Sequence, residues 1–341
     1  MLTAVSVGLA LLVSLLAPLF IRPLLQRMGV IDVPNERSSH SRPILRGVGL
    51  APLLAVMAGF AVLIAGGSER SDASLLMVIA LVALLCGVLG WLEDSRGLPV
   101  TVRAGSQLVI GVAGAGFAVA LSDSFWWLVP ILGIGIAGYI NVANFMDGIN
   151  GISGLHGATV GVVYVAIGGL TTETWMIPAG LVIAVSFLGF LPWNLMRGGV
   201  FLGDVGSYAL GGVIAIVAAT AVAKGVPVLA VLGPLVIYLA DAGVTLIRRV
   251  ASGKRWYEAH RTHTYQRLTD VGMSHLKVAL IVGLASAGAA ASGLIAIHSG
   301  PGWLLSALLM LTIVVAYLFL EAFILRLRNT KRRVPMIGTE Q

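Results

Sequence analysis

Apolar runs long enough to cross a bilayer follow one another along almost the whole chain, and that succession constrains the fold more than any single motif. A membrane-spanning helix needs roughly 20 mainly apolar residues. Eleven stretches approach or reach that length: 2–21, 47–66, 73–92, 106–121, 125–143, 155–170, 174–191, 208–223, 226–247, 275–297 and 302–324. A chain of 341 residues that is 58% hydrophobic and 11% charged is not an ordinary soluble domain. The connections between runs are too short to hold a soluble domain. The expectation is an all-α polytopic membrane protein, one integral membrane domain over 1–341 with about 11 transmembrane helices.

The first run lacks a basic stretch before it and is followed directly by Arg22 and Arg27, which reads as a membrane helix and not a signal peptide. With the N-terminus placed outside, alternate loops collect 20 of the 22 basic residues on one face, leaving only Arg70 and Lys224 opposite. The positive-inside rule makes that face cytoplasmic and the N-terminus periplasmic. The net charge of +7 is then a membrane-facing asymmetry suited to anionic headgroups or phosphorylated substrates, with no call for nucleic acid. Cys86, the only cysteine, excludes an intrachain disulfide and reads as a buried small side chain.

The acidic and amide residues sit at the ends of these runs, all on the basic face. Glu93-Asp94 closes the third run. Adjacent carboxylates repel, and a cation is the usual means of keeping both ionised; a merely solvated helix end reads as well. In Asn141-Val-Ala-Asn-Phe-Met-Asp-Gly-Ile-Asn-Gly, Asn141, Asn144 and Asp147 share a face if the helix continues. Such a face is expensive in a membrane without a cation or polar ligand, whereas an Asn/Asp/Gly turn would explain only the glycines. Asp204, in Gly203-Asp-Val-Gly-Ser207, lies just before another run, placed like a metal or phosphate site or as an N-cap. Phe201 nearby offers a flat face for a base. In the first basic-face loop, Arg37-Ser-Ser-His40 with Arg42 and Arg46 could hold phosphate or simply be a positive-inside loop. If His260-Arg-Thr-His-Thr-Tyr-Gln-Arg267 is helical, His260 and His263 share a face beside Arg261 and Arg267. That suits an anion better than zinc, which would want further Cys or His ligands; a solvated basic loop reads equally well. Gly133-x-Gly-x-x-Gly138 lies inside an apolar run with no strand before it, so it is a helix-packing pattern and no dinucleotide site. Asp241, inside the ninth run, has no role at this level.

Taken together, these loops closely resemble the polyprenyl-phosphate N-acetylhexosamine-1-phosphate transferase superfamily (glycosyltransferase 4), over roughly residues 30–270. The residues that carry the likeness are Asn-x-x-Asn-x-x-Asp-Gly-x-x-Gly at 141–151 followed by Gly-Asp-x-Gly-Ser at 203–207. The Arg-Ser-Ser-His loop and His-Arg-x-His-x-Tyr-Gln-Arg-Leu at 260–268 look like the O-antigen-initiating branch.

The resemblance implies an enzyme of the bacterial inner (cytoplasmic) membrane. Such an enzyme moves sugar-1-phosphate from a UDP-N-acetyl sugar to undecaprenyl phosphate and releases UMP, using Mg²⁺ or Mn²⁺. The sugar implied is N-acetylfucosamine, N-acetylquinovosamine or N-acetylglucosamine, as the first membrane step of O-antigen or another cell-envelope (lipopolysaccharide-type) polysaccharide. It makes Asp204 a metal ligand, with Asp94 a second ligand and the candidate base or orienter of the lipid phosphate. Glu93 stands where many members have a second aspartate. Asp147 and Asn144 would shape the metal–phosphate centre, Gly148, Ile149 and Asn150 would meet uracil, Phe201 would stack on it and Asn194 would line the nucleotide pocket. Arg103, His260 and Arg261 would hold phosphate. Where N-acetylglucosamine enzymes have His-x-His-His this chain has His263-Thr-Tyr-Gln266, so His263 alone carries over as catalytic. Membrane lipids are the surrounding partners, and a homodimer is compatible with the family.

The competing class, a transporter with an acid-lined pathway, places its acids near the bilayer midplane. Here the motif acids lie at run ends on one face. A CDP-alcohol phosphotransferase would need Asp-Gly-x-x-Ala-Arg, and Asp147-Gly148 is followed by Ile-Asn-Gly-Ile. The runs after 275 carry no motif and read as structural.

Overall fold

A computed structural model describes residues 1–32, 44–66, 70–196, 200–253, 261–298 and 302–333. Among them the chain is helical apart from a two-residue antiparallel ladder, β1 (Ile31–Asp32) with β2 (Ile44–Leu45), in the register Ile31↔Leu45. The helices are α1 (Leu2–Met28), α2 (Leu50–Ala65), α3 (Arg70–Arg96), α4 (Val100–Leu121), α5 (Leu128–Met146), α6 (Ile152–Leu170) and α7 (Met176–Leu195). They continue with α8 (Gly203–Ala223), α9 (Val228–Leu232), α10 (Val236–Ala251), α11 (Thr264–Asp270), α12 (His275–Leu294) and α13 (Gly302–Arg333).

Ten helices among the described residues are long and apolar enough to span a bilayer, counting α9 and α10 as one run. The expected eleventh, α2, has only 16 residues, which at 1.5 Å per residue is about 24 Å and short of the roughly 30 Å hydrocarbon core. The ninth run is one of those candidate spans, Val228–Ala251, with a break inside it: Pro234 cannot donate to the ladder, and a 3₁₀ turn at Gly233–Leu235 separates α9 from α10. The 260–267 segment is not helical throughout either, because α11 begins only at Thr264 with His263 extended at its cap.

Hydropathy cannot rank apolar helices by depth in the bundle, but packing does. In its most apolar stretch α8 is 94% buried, against 22% for α1 and 11% for α13. Small residues of α8 let its neighbours close on it: Gly212 meets Cys86 of α3 and Gly211 meets Ile140 and Ala143 of α5. The end of α3, the end of α5 and the start of α8 therefore meet at one end of the bundle.

Candidate active site

The start of α8 is held by a carboxylate from another helix. Asp94, in the last turn of α3, has a fully buried side chain. Its Oδ1 accepts the Asp204 N–H at 3.0 Å and its Oδ2 the Val205 N–H at 2.9 Å. Opening amides of a helix lack intrahelical partners, and a negative charge there is favoured by the helix dipole. The close approach depends on Gly90, where a Cβ would run into the Asp204 carbonyl. Asp94 is thus no exposed helix end, and Asp204 is no N-cap: it sits inside the first turn of α8, behind the cap at Leu202.

Arg46, just after β2, bridges the two aspartates. Its Nε lies 2.6 Å from Asp94 Oδ1 and its Nη2 3.0 Å from Asp204 Oδ2, the charge-assisted arrangement that a planar guanidinium favours. The other Asp204 oxygen accepts from Asn144 Nδ2 at 2.7 Å, and the same amide donates to Ser207 Oγ at 3.0 Å. The backbone of Gly49 and Phe201 closes the arrangement, donating to Leu202 and Leu45 carbonyls at 2.9 and 3.0 Å.

Asp147 caps the C-terminal end of α5 and accepts from Ser153 Oγ at 2.6 Å. Desolvation, reinforced by repulsion from Asp204 and Asp94, pushes its carboxyl up to about 8; the Ser153 bond and Arg46 oppose this. Arg46 thus bridges two of the aspartates, and the third, Asp147, feels the charge of all three groups. Asn141, expected on the same face, turns away and donates to Gln107 Oε1 on α4 at 2.5 Å.

The turn after Asp147 is built from contacts the sequence did not disclose. A Cβ on Gly148 would strike the Tyr265 hydroxyl, which donates to the Phe145 carbonyl at 2.9 Å. Ile149 is buried in the core at 5% exposure, which leaves its backbone, not its side chain, for a ligand. The Asn150 N–H points to His275 Nδ1 at 3.4 Å. Asn194 accepts the Gly151 N–H at 2.5 Å and donates to the Val200 carbonyl at 2.9 Å, so both ends of its amide stitch two loops together. Phe201 beside them is half-buried.

Glu93 accepts from Arg103 Nη1 at 3.0 Å and from the Leu98 N–H at 2.5 Å, clamping the turn between α3 and α4, while the charges of this pair still reach Asp204. Arg261, half-buried, pairs with the exposed Asp270 at 2.9 Å, a kind of pair worth little in water and readily exchanged for an anion. The His263 ring is 3% exposed, with Nδ1 3.5 Å from Asp241. His260, Arg37, Ser38, Ser39, His40, Arg42, Arg197, Lys254 and Arg255 lie outside the described residues.

Among the described residues no group of three or more His, Cys, Asp or Glu forms a ready metal cage. Asp94, expected as the second ligand, gives both oxygens to the α8 amides and one of them also to Arg46. The donors that remain are Asp204 and Asp147, a set that fits Mg²⁺, which commonly takes one or two carboxylates and completes its shell with phosphates and water. Sequence reading missed Ser153, Ser207 and Tyr265 as site residues, and it took Arg46 for a phosphate holder or a positive-inside arginine when it bridges two aspartates; its position beside Gly47-x-Gly49 at a helix start was a usable signal.

The family model described as glycosyl transferase family 4 matches residues 75–222. The decaprenyl-phosphate N-acetylglucosaminephosphotransferase of Mycobacterium tuberculosis is 30% identical over 321 residues, covering 80% of this chain and 78% of its own. A probable undecaprenyl-phosphate N-acetylglucosaminyl 1-phosphate transferase of Bacillus subtilis is 29% identical over 298 residues, covering 82% and 81%. The phospho-N-acetylmuramoyl-pentapeptide-transferase of Saccharopolyspora erythraea is 28% identical over 265 residues, covering 62% and 73%.

Proposed function

Because this chain belongs to glycosyl transferase family 4, we propose that it transfers an N-acetylhexosamine-1-phosphate from its UDP derivative to a polyprenyl phosphate, releasing UMP. The observation that carries the reading is Asp204, bonded to Arg46 and Asn144, within electrostatic reach of Asp147, which Ser153 holds at the end of α5. The acceptor is undecaprenyl phosphate, and the sugar is N-acetylglucosamine, N-acetylfucosamine or N-acetylquinovosamine. The product starts an O-antigen or another envelope polysaccharide on the cytoplasmic face of a bacterial inner membrane.

In the transfer, an oxygen of the lipid phosphate attacks the sugar-linked phosphorus. The bond from that phosphorus to the bridging oxygen breaks, and UMP leaves with the electron pair. Phosphoryl transfer is mostly positioning and charge neutralisation. Asp204 and Asp147 would hold Mg²⁺, which when bound offsets the negative charge of the two phosphorylated substrates. Arg46 keeps Asp204 oriented, and Asp94 anchors the helix that presents it. Arg103 and Arg261, whose ion pairs are partly solvated, supply positive charge to the diphosphate. Phe201 stacks on uracil, and the Gly148–Asn150 backbone lies along it. A polar cluster at helix ends suits a site where a water-soluble nucleotide meets a lipid headgroup.

Detergent-purified protein given undecaprenyl phosphate and a panel of UDP-N-acetylhexosamines should release UMP only with lipid and Mg²⁺ present. EDTA or Asp204→Asn should abolish the release. Lipid-independent release, or none with any donor from a folded sample, would overturn the reading.

A further inference from the structure

The chemistry at Asp204 and Asp147 makes no use of Asp241, yet this wholly buried carboxylate of α10 is the most heavily bonded in the protein among the described residues. It accepts the Thr264 and Tyr265 N–H groups at 2.8 and 3.2 Å, the Tyr317 hydroxyl at 2.6 Å and the Thr245 hydroxyl at 3.4 Å. The two amides open α11, a helix of seven residues. A helix that short has little stability of its own, so its position is set by what it is tied to. Much of what ties it comes from α13. Tyr317 reaches its start through Asp241, Glu321 holds Arg267 within it at 2.7 Å, and Arg328 donates to the Val271 carbonyl just beyond its end at 2.6 Å. Tyr317, Glu321 and Arg328 fall on one face of α13 by helical periodicity.

What α11 carries leads back to the site. His263 precedes it, with its ring beside the same Asp241 carboxylate. Tyr265 packs on Gly148 and donates to the Phe145 carbonyl, two residues before Asp147. A continuous set of bonded groups therefore runs from α13 through Asp241 and α11 to the turn that presents Asp147.

We propose that Tyr317 and Glu321 of the C-terminal helix are positioning residues of the transfer site, acting through Asp241 and Arg267 to set His263 and the Asp147–Gly148 turn. The assignment rests on the transfer reaction proposed for that turn. It gives α13, which carries no motif, a task beyond filling the membrane.

The test uses full-length protein in detergent, with Tyr317→Phe, Glu321→Gln, Tyr265→Phe and their double mutants. Each is compared by kcat and by KM for the UDP-sugar in lipid-dependent UMP release. Tyr317→Phe should lower kcat about tenfold, because small displacements of reacting groups are costly, with KM within about twofold. Since Tyr317 and Tyr265 act along one set of contacts, the double mutant should lose far less than the product of the two single losses, a coupling that independent sites do not show. Fully multiplicative losses, or unchanged kcat in both Tyr317→Phe and Glu321→Gln, would overturn the proposal. If Tyr317→Phe does not fold, as judged by its melting curve, Glu321→Gln with Tyr265→Phe is read in the same way. Absence of lipid-dependent release in the unmutated protein would instead strike the transfer assignment beneath it.

Discussion

Asp94→Asn separates two accounts of the carboxylate at the end of α3. A purely chemical role leaves the fold untouched when the charge is removed, whereas a capping role does not. Asparagine keeps one acceptor oxygen for the two α8 amides that Asp94 now serves at 3.0 and 2.9 Å. One bond is lost and a buried N–H is left facing an amide NH₂ group. Hydrogen bonds to charged groups are worth about 1.5–3 kcal/mol. Removing the charge from a helix start forfeits a further amount of up to ~2 kcal/mol. Arg46 is 35% exposed and can hydrate when its partner is neutralised, so the ion pair itself is discounted to at most ~1 kcal/mol. These terms overlap, and about 3 kcal/mol is the central expectation. For a chain of 341 residues, at roughly 2.1 cal/mol/K of unfolding entropy per residue, that lowers the melting midpoint by roughly 4 °C. Membrane proteins unfold irreversibly in many cases, so the variant and the unmutated protein are melted in the same detergent at one scan rate. UMP release should fall at least about 100-fold, because Asp204 moves with the start of α8. A variant that is inactive but melts within about a degree of the unmutated protein would refute the capping argument.

Glu93→Gln, which weakens only the clamp to Arg103 and Leu98, should cost about 1 kcal/mol and less than about tenfold in kcat; parallel kinetics with Asp94→Asn check the contrast. Gly148→Ala should inactivate by driving a methyl into the Tyr265 hydroxyl, and Gly148→Ala with Tyr265→Phe should regain part of the activity, because the second change removes the clashing oxygen. Asp147 holds its proton up to about 8 in the folded, metal-free protein, against 3.8 when unperturbed. Stability from that proton is complete below the lower value and is lost as pH rises through the higher one. In EDTA, the melting midpoint should therefore fall between about pH 5 and pH 8.5 relative to Asp147→Asn, which does not titrate; parallel pH profiles would refute this.

Period and composition settled early that this chain is a bundle of apolar helices with polar motifs at one end, because a hydrocarbon solvent leaves few other solutions for such runs. The motif residues Asp94, Asn144, Asp147 and Asp204 were legible for the same reason: polar groups at helix ends in a membrane stand out against their background. Which group answers which was not legible. Asp94 meets the amides of residues 204 and 205, and Asp241 meets those of residues 264 and 265; neither pairing has a local signature, since a carboxylate that caps another helix looks in sequence like one that binds a ligand. Arg46 was read toward phosphate with no sign of its two aspartate partners, and the amides of Asn141 and Asn194 gave no sign of the protein groups they bond. The burial of α8 was equally hidden, because every helix in a bilayer is apolar whether it faces lipid or protein. Sequence thus determined the solvent of this protein and the place of its polar groups along the chain. Tertiary packing alone decided which helix lies at the centre and which buried donors and acceptors satisfy one another, because those pairings join different helices, from 23 positions apart for Asp241 and Thr264 to 110 for Asp94 and Asp204.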